Sequence, residues 1–400
     1  MFTAYIIHYF SGVNLVTLAS KCKWIEKCSM SKIGIGIVGG GYMGKAHAVA
    51  MNAVAAIFNT KLRPSLEVLC TTTQNGAAEK AHQFGFARST SDWRQLVDDP
   101  AVEAVIIASP QNTHREIALA AFEKKKHVFC EKPLGMDLAE SRIMLAAAEK
   151  SGCVHMTGFN YIRTPASQLA RQIIHSGEIG RITSFRGEHT EDFLADPDEP
   201  FNWRCQGRAS GNMGDLSPHI INAAFALIGP IESLLAVIET VHKTRPSPQG
   251  PQIVTNDDQA QIMCRFESGV MGSLFISRVA TGRKMGYIYE VFGTKGALRF
   301  DGEDQNALWL YKGDAKADRQ GFTKILTGPL HPDYKPFSLG PGHGTGYQDQ
   351  ITIEAKDFLN AIFDRKSRWP TFEDGLLVNQ VIEAAFVSHD LRRWVDVKSL

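Results

Sequence analysis

The sequence lacks an excess of charge of either sign. Its 400 residues contain 43 Lys and Arg against 42 Asp and Glu, a formal net charge of +1 at pH 7. This balance provides neither a basic field for nucleic acid nor the acidic run typical of a disordered tail. We therefore expect the partner to be a small molecule, with no nucleic acid and no membrane.

Cysteine pairs and long hydrophobic runs are also missing. The seven cysteines are scattered without a Cys-x-x-Cys spacing, which is typical of reduced residues in a cytoplasmic protein. Residues 1–30 include an apolar stretch similar to a signal sequence, but no Lys or Arg precedes it. It is also short and polar for a membrane span, which needs about 20 mostly apolar residues. We expect residues 1–30 to be an extension outside the fold.

Glycine, in contrast, is present in a specific arrangement. An apolar strand predicted over 33–38 is followed by Gly39, Gly41 and Gly44 in a G-x-G-x-x-G pattern, and a helical run follows. In a dinucleotide fingerprint the first glycine permits a tight turn, the second lets the backbone approach a pyrophosphate, and the third allows close helix–strand packing. Strand before and helix after are the context that makes this short pattern informative.

Strands and helices alternate downstream. Apolar strands are predicted near 66–70, 103–108, 127–130 and 153–158, and helical segments lie between them. Strict alternation predicts a parallel, doubly wound α/β sheet. In such a sheet the loops at the carboxyl ends of the strands carry the ligand site.

Glu131 and Lys132 end the fourth strand of this series, and Pro133 follows them. This position puts the Lys132 ammonium on the same sheet edge as the glycine loop, where it can reach a group beside a nicotinamide. Pro133 disfavours helix at Lys132 and so defines the turn. From spacing alone, a solvated Glu–Lys pair in an ordinary loop is an equal alternative.

Several motifs in this order resemble the Gfo/Idh/MocA oxidoreductases, named for glucose-fructose oxidoreductase, inositol dehydrogenase and a rhizopine-catabolism protein. They are the glycine loop, SPQNTH (109–114), EKPL (131–134), GFNYIRTPA (158–166) and GDLSPHIIN (214–222). The resemblance covers residue 31 to the C-terminus. It implies that Lys132 faces the substrate and that an Asp-x-x-x-His helix supplies Asp215 and His219.

The family likeness also implies the domain organisation. We expect a Rossmann domain over 31–158 and a substrate and oligomerisation α+β domain with an open, mainly antiparallel sheet over 159–335. A C-terminal loop and helices over 336–400 should pack back on both. Members commonly associate through the exposed sheet face, so a homo-oligomer, dimer or tetramer, is implied.

The predicted chemistry is oxidation of a secondary alcohol in a sugar, cyclitol or sugar derivative. The reaction removes a hydride from carbon and a proton from oxygen, so it needs a proton acceptor and a cation for the developing alkoxide. His219 titrates near neutrality and suits the acceptor. Lys132 suits the cation, and could pass the proton itself if burial lowers its pKa. Asp215 would orient the substrate and the imidazole, and because Asp215 and His219 are four apart, a helix puts them on one face. No metal is required.

The cofactor is expected to be NAD or NADP, because the second strand ends in Cys70-Thr71-Thr72-Thr73, without the acid that grips ribose hydroxyls in many NAD enzymes. Trp203 could stack on a polyol or be a buried structural residue. The expected cofactor contacts are Gly39, Gly41, Tyr42, Met43, Gly44, Thr71, Thr72, Ser109, Pro110, Asn112, His114, Glu131 and Lys132. The expected substrate contacts are Lys132, Asn160, Tyr161, Arg163, Trp203, Asp215 and His219.

Two other functions remain open from the sequence. One is a glycoside-transforming enzyme of the same fold that uses a retained nicotinamide by transient oxidation. The other is a non-enzymatic NAD(P)-binding protein, which would have no need of a proton-transfer set such as Lys132, Asp215 and His219.

Overall fold

The computed structural model describes residues 31–314 and 316–400, so the extension expected over residues 1–30 lies outside the described residues. Six strands form the first sheet, and all of its pairings are parallel in the order β3-β2-β1-β4-β5-β6. The strands are β1 (Ser31–Val38), β2 (Leu62–Cys70), β3 (Arg88–Thr90), β4 (Ala104–Ile107), β5 (His127–Glu131) and β6 (His155–Gly158).

Helices connect these strands, as the alternation predicted. They are α1 (Tyr42–Phe58), α2 (Gln74–Phe84), α3 (Trp93–Asp98), α4 (His114–Glu123) and α5 (Leu138–Ser151). The β4 strand is fully buried because helices cover both faces of the sheet, which is why parallel strands read as continuous apolar runs. The strand order is that of the doubly wound dinucleotide-binding fold, so the predicted α/β class is confirmed.

The second half of the chain builds a nine-stranded sheet in the order β16-β15-β14-β13-β7-β12-β11-β8-β17, in which β7 and β12 are parallel and the other neighbours antiparallel. Its strands are β7 (Ile182–Thr190), β8 (Ile231–Glu239), β11 (Gln259–Phe266), β12 (Met271–Ser277), β13 (Gly286–Gly293), β14 (Gly296–Asp301), β15 (Ala307–Lys312), β16 (Thr323–Leu326) and β17 (Val395–Asp396). A separate short ribbon pairs β9 (Thr244–Arg245) with β10 (Gln252–Ile253). The predicted open, mainly antiparallel sheet is thus confirmed.

Helices cover one face of the second sheet. They are α6 (Pro165–His175), the short α7 (Asn212–Asp215), α8 (Ser217–Leu227) and α10 (Phe372–Leu391). Apolar residues of α6, α8 and α10 form one core with the inward side chains of the strands. The remaining long helix, α9 (Tyr347–Asp364), packs instead against α1 of the first half.

The other face of the second sheet has no helix over it among the described residues. Side chains on this face include Val237, Met263 and Met271, each more than half exposed. The strands alternate buried and exposed residues, as β11 does over its whole length, which is the pattern of a sheet packed on one side only. We refer to this surface as the open face.

Candidate active site

The glycine loop between β1 and α1 has the geometry of a dinucleotide cradle. Gly39 has a φ of +112°, and a Cβ there would lie 2.3 Å from the carbonyl oxygen of Ala108. A Cβ at Gly44 would lie 1.9 Å from the Gly39 carbonyl oxygen, whereas one at Gly41 would meet no described atom within 4 Å. The loop therefore has no room for a side chain at Gly39 or Gly44, which pack against backbone atoms, and has open space at Gly41.

The start of α1 offers unpaired donors to that open space. Gly41 is the N-cap, and no side chain among the described residues caps the helix. The first-turn N–H groups of a helix without a cap favour a bound anion. These features fit a pyrophosphate, so the loop with Gly39, Gly41 and Gly44 would hold the cofactor.

Tyr42 and Met43 lie at the same helix start. Tyr42 is largely exposed, and its ring lies 5.6 Å from that of Tyr347 on α9. The Tyr347 hydroxyl donates to the Met43 sulfur at 3.2 Å. Helix α9 (Tyr347–Asp364) thus contacts the first turn of α1, next to the glycine loop.

The end of β2 lies next to this loop and carries no acid. The Thr71 hydroxyl donates to the Thr73 carbonyl oxygen at 3.3 Å, and Thr72 is exposed. The Lys80 ammonium donates to the Gly40 carbonyl oxygen at 2.8 Å. The end of β2 therefore carries hydroxyl groups and no carboxylate, and a lysine ammonium lies beside the glycine loop.

The loops after β4 and β5 are joined through His114. Its Nδ1 lies 3.0 Å from the Pro133 carbonyl oxygen and its Nε2 lies 3.1 Å from the Ser109 carbonyl oxygen. Burial lowers the pKa of His114, so a neutral ring donates to one carbonyl at a time. This ring is occupied in bridging the two loops, while Pro110 and Asn112 are exposed beside it.

Glu131 and Lys132 do not form the solvated pair that spacing alone allowed. Glu131 is 8 % exposed; one carboxylate oxygen lies 2.7 Å from Nε2 of His47, and the other accepts the Lys132 N–H at 3.3 Å. The Lys132 ammonium turns the other way and donates to the Asp215 side chain at 2.8 Å and to the Asp215 carbonyl oxygen at 2.6 Å. The peptide bond between Lys132 and Pro133 is cis.

Arg204 is a second cation bound to Asp215, and its guanidinium donates to the other carboxylate oxygen. Burial pushes the pKa of Asp215 upward, but the charges of Lys132 and Arg204 outweigh burial and lower that pKa to about 2. Asp215 is therefore a carboxylate across the physiological pH range. Both of its oxygens accept from cations, so Asp215 holds Lys132 in place; the further role of orienting the substrate and the imidazole stays a prediction.

His219 differs from the sequence expectation in two ways. The helix is not continuous, because α7 ends at Asp215 and α8 begins at Ser217, with Pro218 in its first turn lacking the N–H that continuation would need. His219 is also not poised near neutrality: burial first, then the charges of Lys132 and His189, hold its pKa well below 6.5. The ring is 5 % exposed and neutral, which is the form that accepts a proton.

The environment of His219 is aromatic. Its ring lies 4.4 Å from that of Tyr161 and 5.5 Å from that of His189, and its Nδ1 has no hydrogen-bond partner in the described part of the chain. Tyr161 also lines a small cavity next to the site. The other lining residues are Thr164, Met285, Tyr287, Phe300, Gly302, Gln305, Tyr347 and Gln350.

The structure does not bring every predicted substrate contact to this cluster. The Arg163 guanidinium bonds the Trp369 carbonyl oxygen at 3.0 Å and lies 2.6 Å from Asp357. The Asn160 amide donates to the Gln350 side chain at 2.9 Å. Both side chains are buried among C-terminal residues, which the sequence pattern gave no means to foresee.

The structure distinguishes the two roles that the sequence allowed for Trp203, stacking on a polyol or a buried structural residue. Its indole is 55 % exposed, and the Arg204 guanidinium lies 4.4 Å from the ring centroid. A buried structural role for Trp203 is therefore wrong. The tryptophan instead supports the arginine that contacts Asp215.

Two residues of the site were missed. His189 at the end of β7 and Tyr287 on β13 are paired across neighbouring strands and face the same cluster. Both occur singly in strands, without a motif, so strand pairing between distant segments was needed to find them.

The glycine loop generates the first prediction. Gly41→Val should weaken NADH binding at least 10-fold, about 1.4 kcal/mol, because the new side chain would enter the open space of the cradle. The melting temperature should stay near that of the wild type, since Gly41 has an ordinary φ of −79° and no described neighbour within 4 Å. Calorimetric titration and thermal melts measure the two effects.

The matched control is Gly39→Ala. Its positive φ and its contact with Ala108 predict loss of stability, with altered cofactor binding only as a consequence. An unchanged NADH affinity in the Gly41→Val protein would contradict the cradle assignment.

Comparison with known proteins gives the same picture. The family model described as "Oxidoreductase family, NAD-binding Rossmann fold" matches residues 33–159, and the "GFO/IDH/MocA C-terminal domain" matches residues 167–299. Levoglucosan dehydrogenase of Pseudarthrobacter phenanthrenivorans is 39% identical over 93% of this chain and 100% of its own length. Myo-inositol 2-dehydrogenase of Thermotoga maritima is 28% identical over 92% of this chain and 99% of its own.

Solved structures agree with these relatives. A structure of levoglucosan dehydrogenase in complex with NADH and levoglucosan has a TM-score of 0.89 and 40% identity, covering 92% of this chain and 100% of that one. The resemblance found in the motifs is thereby confirmed. The chain belongs to the Gfo/Idh/MocA family of oxidoreductases and carries its NAD-binding Rossmann domain.

Proposed function

We propose that this protein oxidises a secondary hydroxyl group of a neutral sugar, cyclitol or sugar derivative, with NAD as the hydride acceptor. The observation that carries the proposal is the meeting of Lys132, Asp215 and a neutral, buried His219 beside the carboxyl edge of the Rossmann sheet. A protein that only bound the cofactor would not need this set.

Each residue has a distinct role in the proposal. Bound NAD accepts hydride at its nicotinamide. The Lys132 ammonium, held by Asp215, would stabilise the developing alkoxide, and the neutral imidazole of His219 would accept the hydroxyl proton. Arg204 binds the second oxygen of Asp215 and so helps to hold the carboxylate against Lys132.

The substrate class follows from the surroundings. Segment 191–199, ahead of Trp203 in the chain, is rich in carboxylates, which would disfavour an anionic sugar, although Asp192 is paired with Lys284; they are Glu191, Asp192, Asp196, Asp198 and Glu199. The cavity next to His219 is lined by aromatic rings and amides. In sites for small molecules, apolar and aromatic side chains define the shape, and a few polar groups fix the orientation of the ligand. Two of the relatives are named for neutral compounds, so levoglucosan is the first candidate and myo-inositol the second.

NADP stays a second candidate cofactor. The β2 end offers Thr71 and Thr72 in place of an acid, and Lys80 lies beside Gly40. Without a carboxylate there, the 2′-phosphate of NADP would meet no repulsion. We propose NAD as the main cofactor because the family domain is NAD-binding, and expect measurable activity with NADP.

The test is a screen of levoglucosan, D-glucose, myo-inositol, glucose 6-phosphate and an aryl glucoside, each with NAD and with NADP. Rising absorbance of the reduced cofactor with a neutral sugar is the expected result. Glycoside cleavage without net cofactor turnover would support the retained-nicotinamide alternative instead. Cofactor binding without any conversion would support a binding protein.

Lys132→Met generates the second prediction. The methionine keeps the length of the stem but removes the charge that meets the alkoxide, so kcat should fall by ~10²–10⁴-fold. NADH affinity should change little, because Lys132 is bonded to Asp215 and not to the glycine loop. Steady-state kinetics and calorimetry separate these effects.

Lys150→Met is the matched control, since Lys150 is exposed in the last turn of α5. Its kcat should equal that of the wild type. A Lys132→Met enzyme with near-normal kcat would rule out the assigned role of Lys132.

We also propose that copies of the chain associate through the open face. Its exposed Val237, Met263 and Met271 form an apolar surface, and the Arg186–Glu290 pair with an N–O distance of 3.4 Å supplies both signs of charge. Such a surface suits a self-complementary interface.

Sedimentation analysis should give a dimer or tetramer, and Met263→Lys should reduce the assembly size; a monomeric wild type would contradict the interface.

A cytoplasmic location is part of the same proposal. Cys70, Cys130, Cys153, Cys205 and Cys264 are all free thiols. Reduced, mostly buried cysteines are typical of the cytosol.

A further inference from the structure

His189 is the most unusual group that the proposed chemistry leaves without a role. It is 1 % exposed at the end of β7, and its Nδ1 lies 2.8 Å from the Leu216 carbonyl oxygen. Leu216 is the residue between α7 and α8, so His189 contacts the junction that separates Asp215 from His219. A carbonyl oxygen only accepts, which means that Nδ1 carries the hydrogen.

The other nitrogen of His189 faces an acid. In the neutral ring Nε2 then holds a lone pair, and it lies 3.4 Å from a carboxylate oxygen of Glu191. The two atoms lack hydrogen-bond alignment, and Nε2 has no hydrogen-bond partner among the residues of the described ranges. Two acceptors at this distance are favourable only when a proton lies between them.

We propose that His189 and Glu191 form the exit route for the proton that His219 takes from the substrate. The inference rests on the proposed function, since only alcohol oxidation delivers a proton to His219. The rings of His219 and His189 are 5.5 Å apart at 68°, and the Tyr161 ring packs against both. Histidine suits such a shuttle because Nε2 can take up a proton and release it again while Nδ1 keeps its hydrogen bond to the Leu216 carbonyl oxygen.

The route is needed because His219 is almost completely enclosed. At 5 % exposure, with substrate and cofactor covering the site, the imidazole has no direct path to water. Glu191 is 21 % exposed and so connects the interior to solvent.

The proton count balances at each step. Oxidation of one hydroxyl group to a carbonyl releases one hydride and one proton, and the proton binds a ring nitrogen of His219. His219 returns to neutral by passing a proton to Nε2 of His189, directly or across one water. His189 then gives a proton to the Glu191 carboxylate, which loses it to solvent, so that all three groups end as they began.

The charged and titratable groups around His189 would allow a proton to be transferred through the ring and would not bind it in place of His189 or Glu191. They come from each element that packs on the ring and are His219 of α8, Tyr161 of the turn after β6, Tyr287 of β13, Glu191 after β7, and Asp215 of α7. Burial raises the pKa of Tyr161 and Tyr287 well above the usual range, so neither competes for the role of acceptor. Asp215 is already neutralised by two cations.

The competing role for His189 is a brace that holds the Leu216 carbonyl. His189→Asn separates the two roles, because the asparagine amide can take the place of Nδ1 and donate to Leu216 but offers nothing at Nε2. Glu191→Gln leaves the brace intact and removes the final acceptor. His189→Ala removes both functions.

The experiment is stopped-flow oxidation of the best sugar from the screen, in weak buffer with a pH-indicator dye. Reduced cofactor and released proton are followed at separate wavelengths. In the wild type the two should appear together. In His189→Asn and Glu191→Gln, proton release should lag behind the first turnover, and kcat should fall on the order of 10-fold, less than the ~10²–10⁴-fold typical of removing the proton acceptor itself.

His175→Asn is the matched control, since His175 is exposed at the end of α6 and should leave both signals unchanged. Proton release without a lag in His189→Asn and Glu191→Gln, with loss of activity only in His189→Ala, would show a brace and overturn the relay. A wild type that reduces no cofactor with any sugar would contradict the proposed function first, and the relay with it.

Discussion

The contact between Lys132 and Asp215 is the constraint on which the rest of the site depends. Lys132 ends a strand of the parallel sheet, Asp215 ends a short helix on the second sheet, and the two residues are 83 positions apart in the chain. The ammonium donates to both the side chain and the backbone carbonyl of Asp215. Because one residue supplies both acceptors, Lys132 is fixed in direction as well as in distance.

Burial of such a pair is weak evidence for stability. Desolvation of two charges can cost as much as their attraction returns, and well-packed apolar residues often serve as well. The pair is only partly buried, with side-chain exposures of 15% and 17%, so it remains accessible to a ligand. Its position at the meeting point of the two sheets is better explained by chemistry than by folding energy.

Asp215 is in turn held by a network behind it. The Arg204 carbonyl oxygen accepts from Arg278 at 2.7 Å and from the Asn256 amide at 2.9 Å, which fixes the residue that bonds Asp215. Arg278 forms a fully buried ion pair with Asp258 at 2.9 Å. The preceding carboxylate, Asp257, accepts the Met213 N–H at 2.7 Å in the same short helix as Asp215. Residues 256–258 therefore position both the aspartate and its second cation.

Local patterns were sufficient for the fold but not for the details of the site. Alternation and the glycine spacing predicted the parallel sheet, although the three-residue β3 was too short to leave a pattern. Asp137 at the start of α5 caps its helix by accepting the Glu140 N–H, a contact between neighbours in the chain. The domain limits at 158 and 335 stay predictions.

Most of what failed depends on distant residues. The helix break between Asp215 and His219 is the exception, because Pro218 lies between them in the sequence and lacks the N–H that a continuous helix needs. The low pKa of His219 comes from burial and from charges on Lys132 and His189, which lie on other elements. Arg163 looked like a ligand-facing residue beside a motif, yet its partner Asp357 lies almost 200 residues further along the chain.

Helix α9 explains why these distant partners matter for the site. Through Gln350 and Asp357 it holds the loop after β6, and through Tyr347 it contacts the cofactor loop, so one helix sets the position of both. It also buries Glu354, where burial first and the nearby charge of Glu131 second raise the pKa well above the usual range. A protonated Glu354 adds no second negative charge beside Glu131. Glu131 therefore holds His47 and the Lys132 N–H without a like charge from Glu354 beside it, and these contacts fix the turn from which Lys132 reaches Asp215.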